Sequence, residues 1–255
     1  MQRRFRSGVL LVLIMIGVLS APSAHTSLFA RPAFQTGDPV IVAAGDISNC
    51  SNQEDEETAR LLDQIEGTVL PLGDTAYELG SDSDFQHCYD PTWGRHKARS
   101  HPVPGNHEYG VVGATGYFSY FGDAATPLEP GCTRDCKGYY SYDLGSWHLI
   151  ALNSESGNEA GSEQEQWLRA DLAAHPTQCT LAYWHRPRYS SGYHGSGSMF
   201  APFQALYDFG ADVVLVGHDH DYERFAPQGP GSEPEPTRGI RQFVVGTGGG
   251  AVGGV

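Results

Sequence analysis

Short apolar runs alternate with polar, helix-compatible stretches over most of this 255-residue chain. Residues 40–44, 68–72, 147–152, 181–184, 213–216 and 242–245 are runs of four to six apolar or β-branched residues closed by polar or glycine punctuation. That length and composition predict buried strands. Residues 101–104 predict a short extended segment, because Pro102 and Pro104 disfavour helix. Between the strands, Ser51 with Glu54 and Ser162 with Glu165 have the spacing of capping boxes. They predict helices reaching about Glu66 and Ala173. A third helix is expected over 199–209. Strand alternating with helix, without repeats or a linker, predicts one α/β domain. Residues 117–143 form an aromatic, glycine-rich insertion, a candidate cover for a site.

The first residues follow a different pattern. Arg3, Arg4 and Arg6 precede an apolar run over 9–19, and small residues follow to Ala24. This predicts a secretory signal peptide over 1–24, since the run is too short for an ordinary membrane span. Residues 25–38 read as an irregular leader and 39–255 as the folded domain. Cleavage would remove three arginines and take the net charge from −14 to about −17. No stable membrane anchor is expected afterwards, and the protein would be secreted, periplasmic or at the cell surface. The negative charge argues against a basic nucleic-acid surface. It does not exclude a small phosphorylated substrate, because bound cations can reverse the local field. Export permits disulfides. Of the five cysteines, Cys132 and Cys136 are the expected pair, and an odd number leaves at least one outside any pair within the chain. No CxxC is present to suggest a four-cysteine zinc site.

The chemistry lies where the strands end. Separate apolar runs lead into Asp46, Asp74, Asn106, His185 and His218, all capable of binding metal. One Asp after a strand is ordinarily a turn or cap residue. Repeated carboxylate, amide and imidazole groups at strand ends point to a site, because ligands in α/β sheets collect at carboxyl ends. The run "GHDH" (217–220) adds His220, two residues beyond His218 and on the same side of an extended segment.

In order, "GDIS" (45–48), "GDTAY" (73–77), "GNHE" (105–108), "AYWH" (182–185) and "GHDH" resemble the blocks of the calcineurin-like metallophosphoesterases, and most closely the exported, bacterial purple acid phosphatase type. The resemblance covers roughly residues 38–250. It implies a two-sheet sandwich flanked by helices, the four-layer αββα arrangement. It also implies two metal ions, with Fe(III) plus a divalent Fe, Zn or Mn favoured by Tyr77. Asp46, Asp74, Tyr77 and His220 would hold the first. Asp74 would bridge to the second, completed by Asn106, His185 and His218. His107 would serve the leaving group, Glu108 would orient a neighbour, and His194 would face the phosphate. Tyr222 would pack below the site, with Glu223 and Arg224 paired locally. Two expectations concern departures from the family. Ser48 stands where the first block usually has glycine, which puts that turn's geometry in question. The chain stops in "GTGGGAVGGV" where relatives continue into further strands, so a C-terminal truncation is expected, leaving strand 242–245 short of a neighbour.

The implied activity is hydrolysis of phosphate monoesters by a metal-bridging hydroxide. A phosphodiesterase using the same metal pair is the alternative. Non-catalytic metal or phosphate binding is a third reading, disfavoured because binding alone has no use for His107.

Overall fold

A computed structural model describes residues 10–13, 39–176, 179–192, 194–195 and 197–250. The expected leader over 25–38 lies outside them. In chain order the elements are β1 (Leu10–Leu13), β2 (Val40–Ala44), α1 (Glu54–Leu62), β3 (Thr68–Pro71), α2 (Asp82–Asp84), α3 (Thr115–Phe121), β4 (Tyr140–Leu144), β5 (Trp147–Ala151), α4 (Glu163–Ala174), β6 (Cys179–Tyr183), α5 (Phe200–Phe209), β7 (Val213–Val216), β8 (Tyr222–Arg224) and β9 (Arg241–Val245).

The strands form two sheets, of order β1-β2-β3 and β4-β5-β6-β7-β9-β8. The first is parallel. Segment 101–104 extends it beyond β3, with the His101 and Val103 amides donating to Val69 O and Pro71 O. The second is parallel through β5, β6, β7 and β9, with antiparallel β4 and β8 at its edges. Period-two alternation explains how the sheets stack. Leu149, Ala151, Leu181, Tyr183 and Leu215 face the first sheet, sharing one core with Ile41, Val42, Val69 and Leu70. Ile150, Ala182, Trp184, Val214 and Val216 face the other way, onto Leu168 and Leu172 of α4 and Phe203 and Leu206 of α5. Ala59 and Leu62 of α1, with Trp93, close the outer side of the first sheet. The result is the expected helix–sheet–sheet–helix arrangement.

Several local expectations change. Helix α1 ends at Leu62 and begins without the Ser51 capping box. Asn49 Oδ1 accepts from the Ser51 amide and hydroxyl, and Asn52 Oδ1 accepts from the Glu54 amide. Two side-chain turns thus replace one cap. The Ser162 cap of α4 is present, its Oγ accepting from the Glu165 amide. The 117–143 insertion is core rather than cover, because Tyr117, Phe118, Phe121 and Tyr140 are buried. Strand β9 is not short of a neighbour, since β7 and β8 flank it. Leu10–Leu13, inside the expected signal peptide, lies beside β2. Removing it would open that edge. Cys132 pairs with Cys136 as expected, and Cys50 pairs with Cys88. Cys179 is outside both disulfides.

Candidate metal centre and active site

The loops leaving β2, β3, segment 101–104, β6 and β7 converge at the carboxyl ends of the strands. Asp46, Asp74 and His218 take positive φ angles of 59°, 48° and 74°. This conformation is uncommon for residues with a Cβ and turns their side chains off the strand ends toward one another. Ser48 is not strained. It continues as a bridge to Ala76, its amide donating to Thr75 O. The concern over that turn therefore belongs to Asp46, two residues earlier.

The glycines of the blocks have steric reasons. Gly73 has φ +83°, and a Cβ there would lie 2.7 Å from the His185 ring. At Gly105 a Cβ would lie 2.3 Å from Asp74 Oδ1. Both contacts are too close for any other residue, so Gly-Asp and Gly-Asn-His are packing requirements as well as turn signals.

Two groups of donor atoms form around Asp74. In the first, Tyr77 Oη lies 3.0 Å from Asp46 Oδ1, 3.0 Å from His220 Nε2 and 3.5 Å from Asp74 Oδ2. His220 Nε2 is 3.3 Å from Asp46 Oδ1. In the second, His185 Nε2 lies 3.1 Å from Asp74 Oδ2, 3.2 Å from Asn106 Oδ1 and 3.1 Å from His218 Nδ1. Asp74 Oδ2 belongs to both groups. The seven metal-ligand candidates from the sequence are thus brought together around Asp74.

This donor set fits a pair of cations. Asp46, Asp74 and His185 are almost fully buried, where isolated charges are costly. His185 Nδ1 donates to Leu72 O at 2.9 Å, leaving Nε2 to face the cluster. Burial alone would depress this imidazole, but the Asp74 carboxylate outweighs it and pushes the group up to about 10. His218 is driven down to about 3 by burial, then by His185 and Arg186. For Asp74 the balance runs the other way: burial opposes ionisation, yet His185 and His107 pull the group down to about 2. Burial, then Asp46 and Asp74, hold the Tyr77 phenol well above its ordinary value. A phenolate there would need a cation beside it.

Around this centre, Glu108 does what its position suggested. It is fully buried. It accepts from the amides of Gly105, Asp74 and Thr75 at 2.6, 2.9 and 2.7 Å and from the Thr75 hydroxyl at 2.9 Å. One carboxylate thereby ties two ligand-bearing loops together. His107 donates through Nδ1 to Glu78 O, with Nε2 3.9 Å from Asp74 Oδ2. It stands at the rim of the cluster, partly exposed. His194 is farther out, 53% exposed, with Nδ1 2.6 Å from Asp219 Oδ1 and its ring 4.8 Å from that of His218. Glu223 does not pair with Arg224. It accepts from the Ser190 hydroxyl and the Ser191 amide, fixing the strand-to-loop segment that leads to His194.

Sequence reasoning missed Arg186. Its guanidinium contacts both Glu155 oxygens at 2.9 and 3.1 Å and lies 3.1 Å from His218 Nε2. Arg186 and Glu155 line a cavity of about 420 Å³ together with Ser154, Asn158 and Glu159. Its position directly after His185 was the available signal. The glycine-rich end was also missed: the amides of Gly248 and Gly250 donate to Gly45 O and Asp46 O, so this segment braces the first ligand loop.

Residues 32–222 match the family described as calcineurin-like phosphoesterase. The chain belongs to the calcineurin-like phosphoesterases. It is 30% identical over 216 residues to purple acid phosphatase 15 of Arabidopsis thaliana, covering 72% of this chain and 40% of that protein. It is 31% identical over 196 residues to acid phosphatase type 7 of Homo sapiens, covering 62% and 41%. The chain therefore spans less than half the length of these calcineurin-like relatives. Purple acid phosphatase PPD1 from yellow lupin (Lupinus luteus) seeds shares the fold, with a TM-score of 0.59 and 20% identity over 83% of this chain and 44% of that one.

Proposed function

We propose that this chain is a dinuclear metal-dependent phosphoesterase acting on phosphate monoesters. The observation that carries the reading is the pair of donor groups sharing Asp74 Oδ2, with His107 at their edge. Asp46, Asp74, Tyr77 and His220 would hold one ion, and Asp74, Asn106, His185 and His218 the other. When bound, such a pair supplies Lewis acidity and a nucleophilic water of lowered pKa. The chain's own residues do the rest. Glu108 fixes the Asp74 and Asn106 loops, so the donor atoms are held before substrate arrives. His107 gives a proton to, or stabilises, the departing oxygen. Its Nδ1 is held by Glu78 O, so Nε2 is the atom presented. His194 steadies the phosphate from the rim, oriented by Asp219. The cavity beside Arg186 receives the organic part of the substrate.

Tyr77 supports a ferric ion in the first position, because a phenolate is a hard anionic donor, with divalent Fe, Zn or Mn in the second. Iron-loaded protein should be coloured, and Tyr77→Phe should bleach it without unfolding the domain. Colour that survives Tyr77→Phe would remove the tyrosinate. Paired assays on an aryl monoester and a bis-aryl diester test the substrate class. A higher kcat/KM for the monoester supports the proposal, and the reverse ranking supports the diesterase.

Export is part of the same proposal, supported by the basic-then-apolar start and by two disulfides. No helix among the described residues is long and apolar enough to cross a membrane. The exported protein should begin near residue 25 on N-terminal sequencing. A product that retains Leu10–Leu13 would contradict cleavage and keep β1 in the sheet.

A further inference from the structure

At the opposite end of the six-stranded sheet, away from the strand ends that carry the centre, another group of metal-binding side chains meets. His148 is the second residue of β5, and Asp171 and His175 stand four residues apart, in the last turn of α4 and at its C-cap. Their candidate ligand atoms all lie within 4.8 Å of one another. His148 Nε2 is 2.7 Å from Asp171 Oδ2, and the His148 and His175 rings stack at 4.5 Å with an interplanar angle of 16°. We propose that His148, Asp171 and His175 form a separate site for one zinc-class divalent cation. The inference does not depend on the function assigned to the catalytic centre.

The outer contacts resemble those that support metal ligands. His148 Nδ1 donates to Asp143 Oδ1 at 2.8 Å, which fixes the tautomer and leaves Nε2 aimed at Asp171. A carboxylate behind a ligating imidazole is the common supporting arrangement at metal sites. His175 Nδ1 donates to Asp171 O at 2.9 Å and lies 3.3 Å from Asp171 Oδ1, so this ring stands beside the carboxylate. Asp171 accepts from the Ser141 hydroxyl at 2.7 Å, which holds the carboxylate at the edge of the two stacked rings. His148 is 2% exposed and Asp171 8%, so these positions are set by packing, whereas His175, at 45%, is open to solvent and would exchange its bond to Asp171 O for an arriving ion. A cavity of about 220 Å³ lined by Asp143, Trp147, His175 and Pro176 gives the route in.

Two imidazoles and one carboxylate, with the fourth position left to water, form a recognised zinc donor set. Calcium and magnesium prefer all-oxygen ligation and fit poorly. With no cation, Asp143 and Asp171 would simply grip His148 as an ion-paired strut. That is the competing reading.

Chelator-treated full-length protein should be titrated with zinc against a chromophoric competitor, for wild type, His175→Ala and Asp143→Asn. Wild type should bind one zinc more than His175→Ala, because the equivalents at the catalytic centre cancel in the comparison. Asp143→Asn should keep that additional zinc with about 10–100-fold weaker affinity. His175 is exposed enough for its variant to fold, and phosphoesterase turnover should be unchanged in it. Zinc should raise the Tm of wild type more than that of His175→Ala. Equal zinc stoichiometry and affinity in wild type and His175→Ala would overturn the proposal and leave the strut.

Discussion

Replacing Glu108 should damage the protein more than any surface position, and the structure gives the size of the effect. Its carboxylate accepts four short hydrogen bonds in a fully buried setting, three from backbone amides and one from a hydroxyl, and a longer fifth from the Ala76 amide at 3.4 Å. In Glu108→Ala those donors are left without an acceptor. An unsatisfied buried donor costs about 1–3 kcal/mol. Even the low end, summed over the four short bonds alone, is about 4 kcal/mol, a large share of the stability of a domain. Glu108→Gln keeps one oxygen for Thr75 but turns an NH2 toward Gly105 and Asp74. Two donors then lose their acceptor, at about 2 kcal/mol by the same figure. Burial already pushes the Glu108 carboxyl up, so neutralising it returns part of that loss. Urea denaturation should rank wild type above Gln and Gln above Ala. Metal affinity should fall in the same order, because Asp74 loses its backbone anchor. An Ala variant within about 1 kcal/mol of wild type would refute the claim that this carboxylate joins the ligand loops.

Other outcomes follow from individual contacts. His107→Ala should slow hydrolysis of poor leaving groups about 10²–10⁴-fold and matter less for activated aryl phosphates, with metal content unchanged; equal losses for both would remove the acid role. Breaking Cys50–Cys88, which closes a loop with a separation of 38 residues, should cost about 4 kcal/mol by the chain-entropy relation and Cys132–Cys136 about 2, as read from denaturation of the two double Ser variants. Asp55 is held above its unfolded value of 3.8 by burial, against a hydrogen bond from Thr92. A raised folded-state pKa contributes stability below the unfolded value that is lost as pH rises through the folded one. Asp55→Asn should therefore gain on wild type between pH 4 and pH 7 in urea denaturation, and a relative loss over that range would contradict the assignment.

The sequence made the site more legible than the scaffold around it. Gly-Asp, Gly-Asn-His and Gly-His-Asp-His are local signals, because each ligand sits immediately beyond its strand and its glycine is demanded by contacts such as Gly105 with Asp74. Continuous apolar runs at β5, β6 and β7 likewise identified strands with both faces buried. Pairings between distant segments left no such mark. Cys50 and Cys88 are separated by α1, β3 and α2, and β8 is only Tyr222–Arg224, too short for a periodic pattern. The bracing of Asp46 by Gly248 and Gly250 depends on backbone atoms alone, so side-chain chemistry could not announce it. Arg186 and Glu155 meet only because β5 and β6 are neighbours. The α1 cap failed for a related reason: Asn49 and Asn52 offer competing side-chain turns at the same place, and tertiary packing chose between them.

Two cations held by the groups that share Asp74 are central to the proposed activity. The most direct test is to titrate chelator-treated protein with manganese while following phosphate release from an aryl phosphate monoester. Activity should be absent at the start, rise to saturation as two ions bind at the centre, and fail to return in Asp74→Asn. Hydrolysis that persists without metal, or that Asp74→Asn recovers at the same metal concentration, would contradict it.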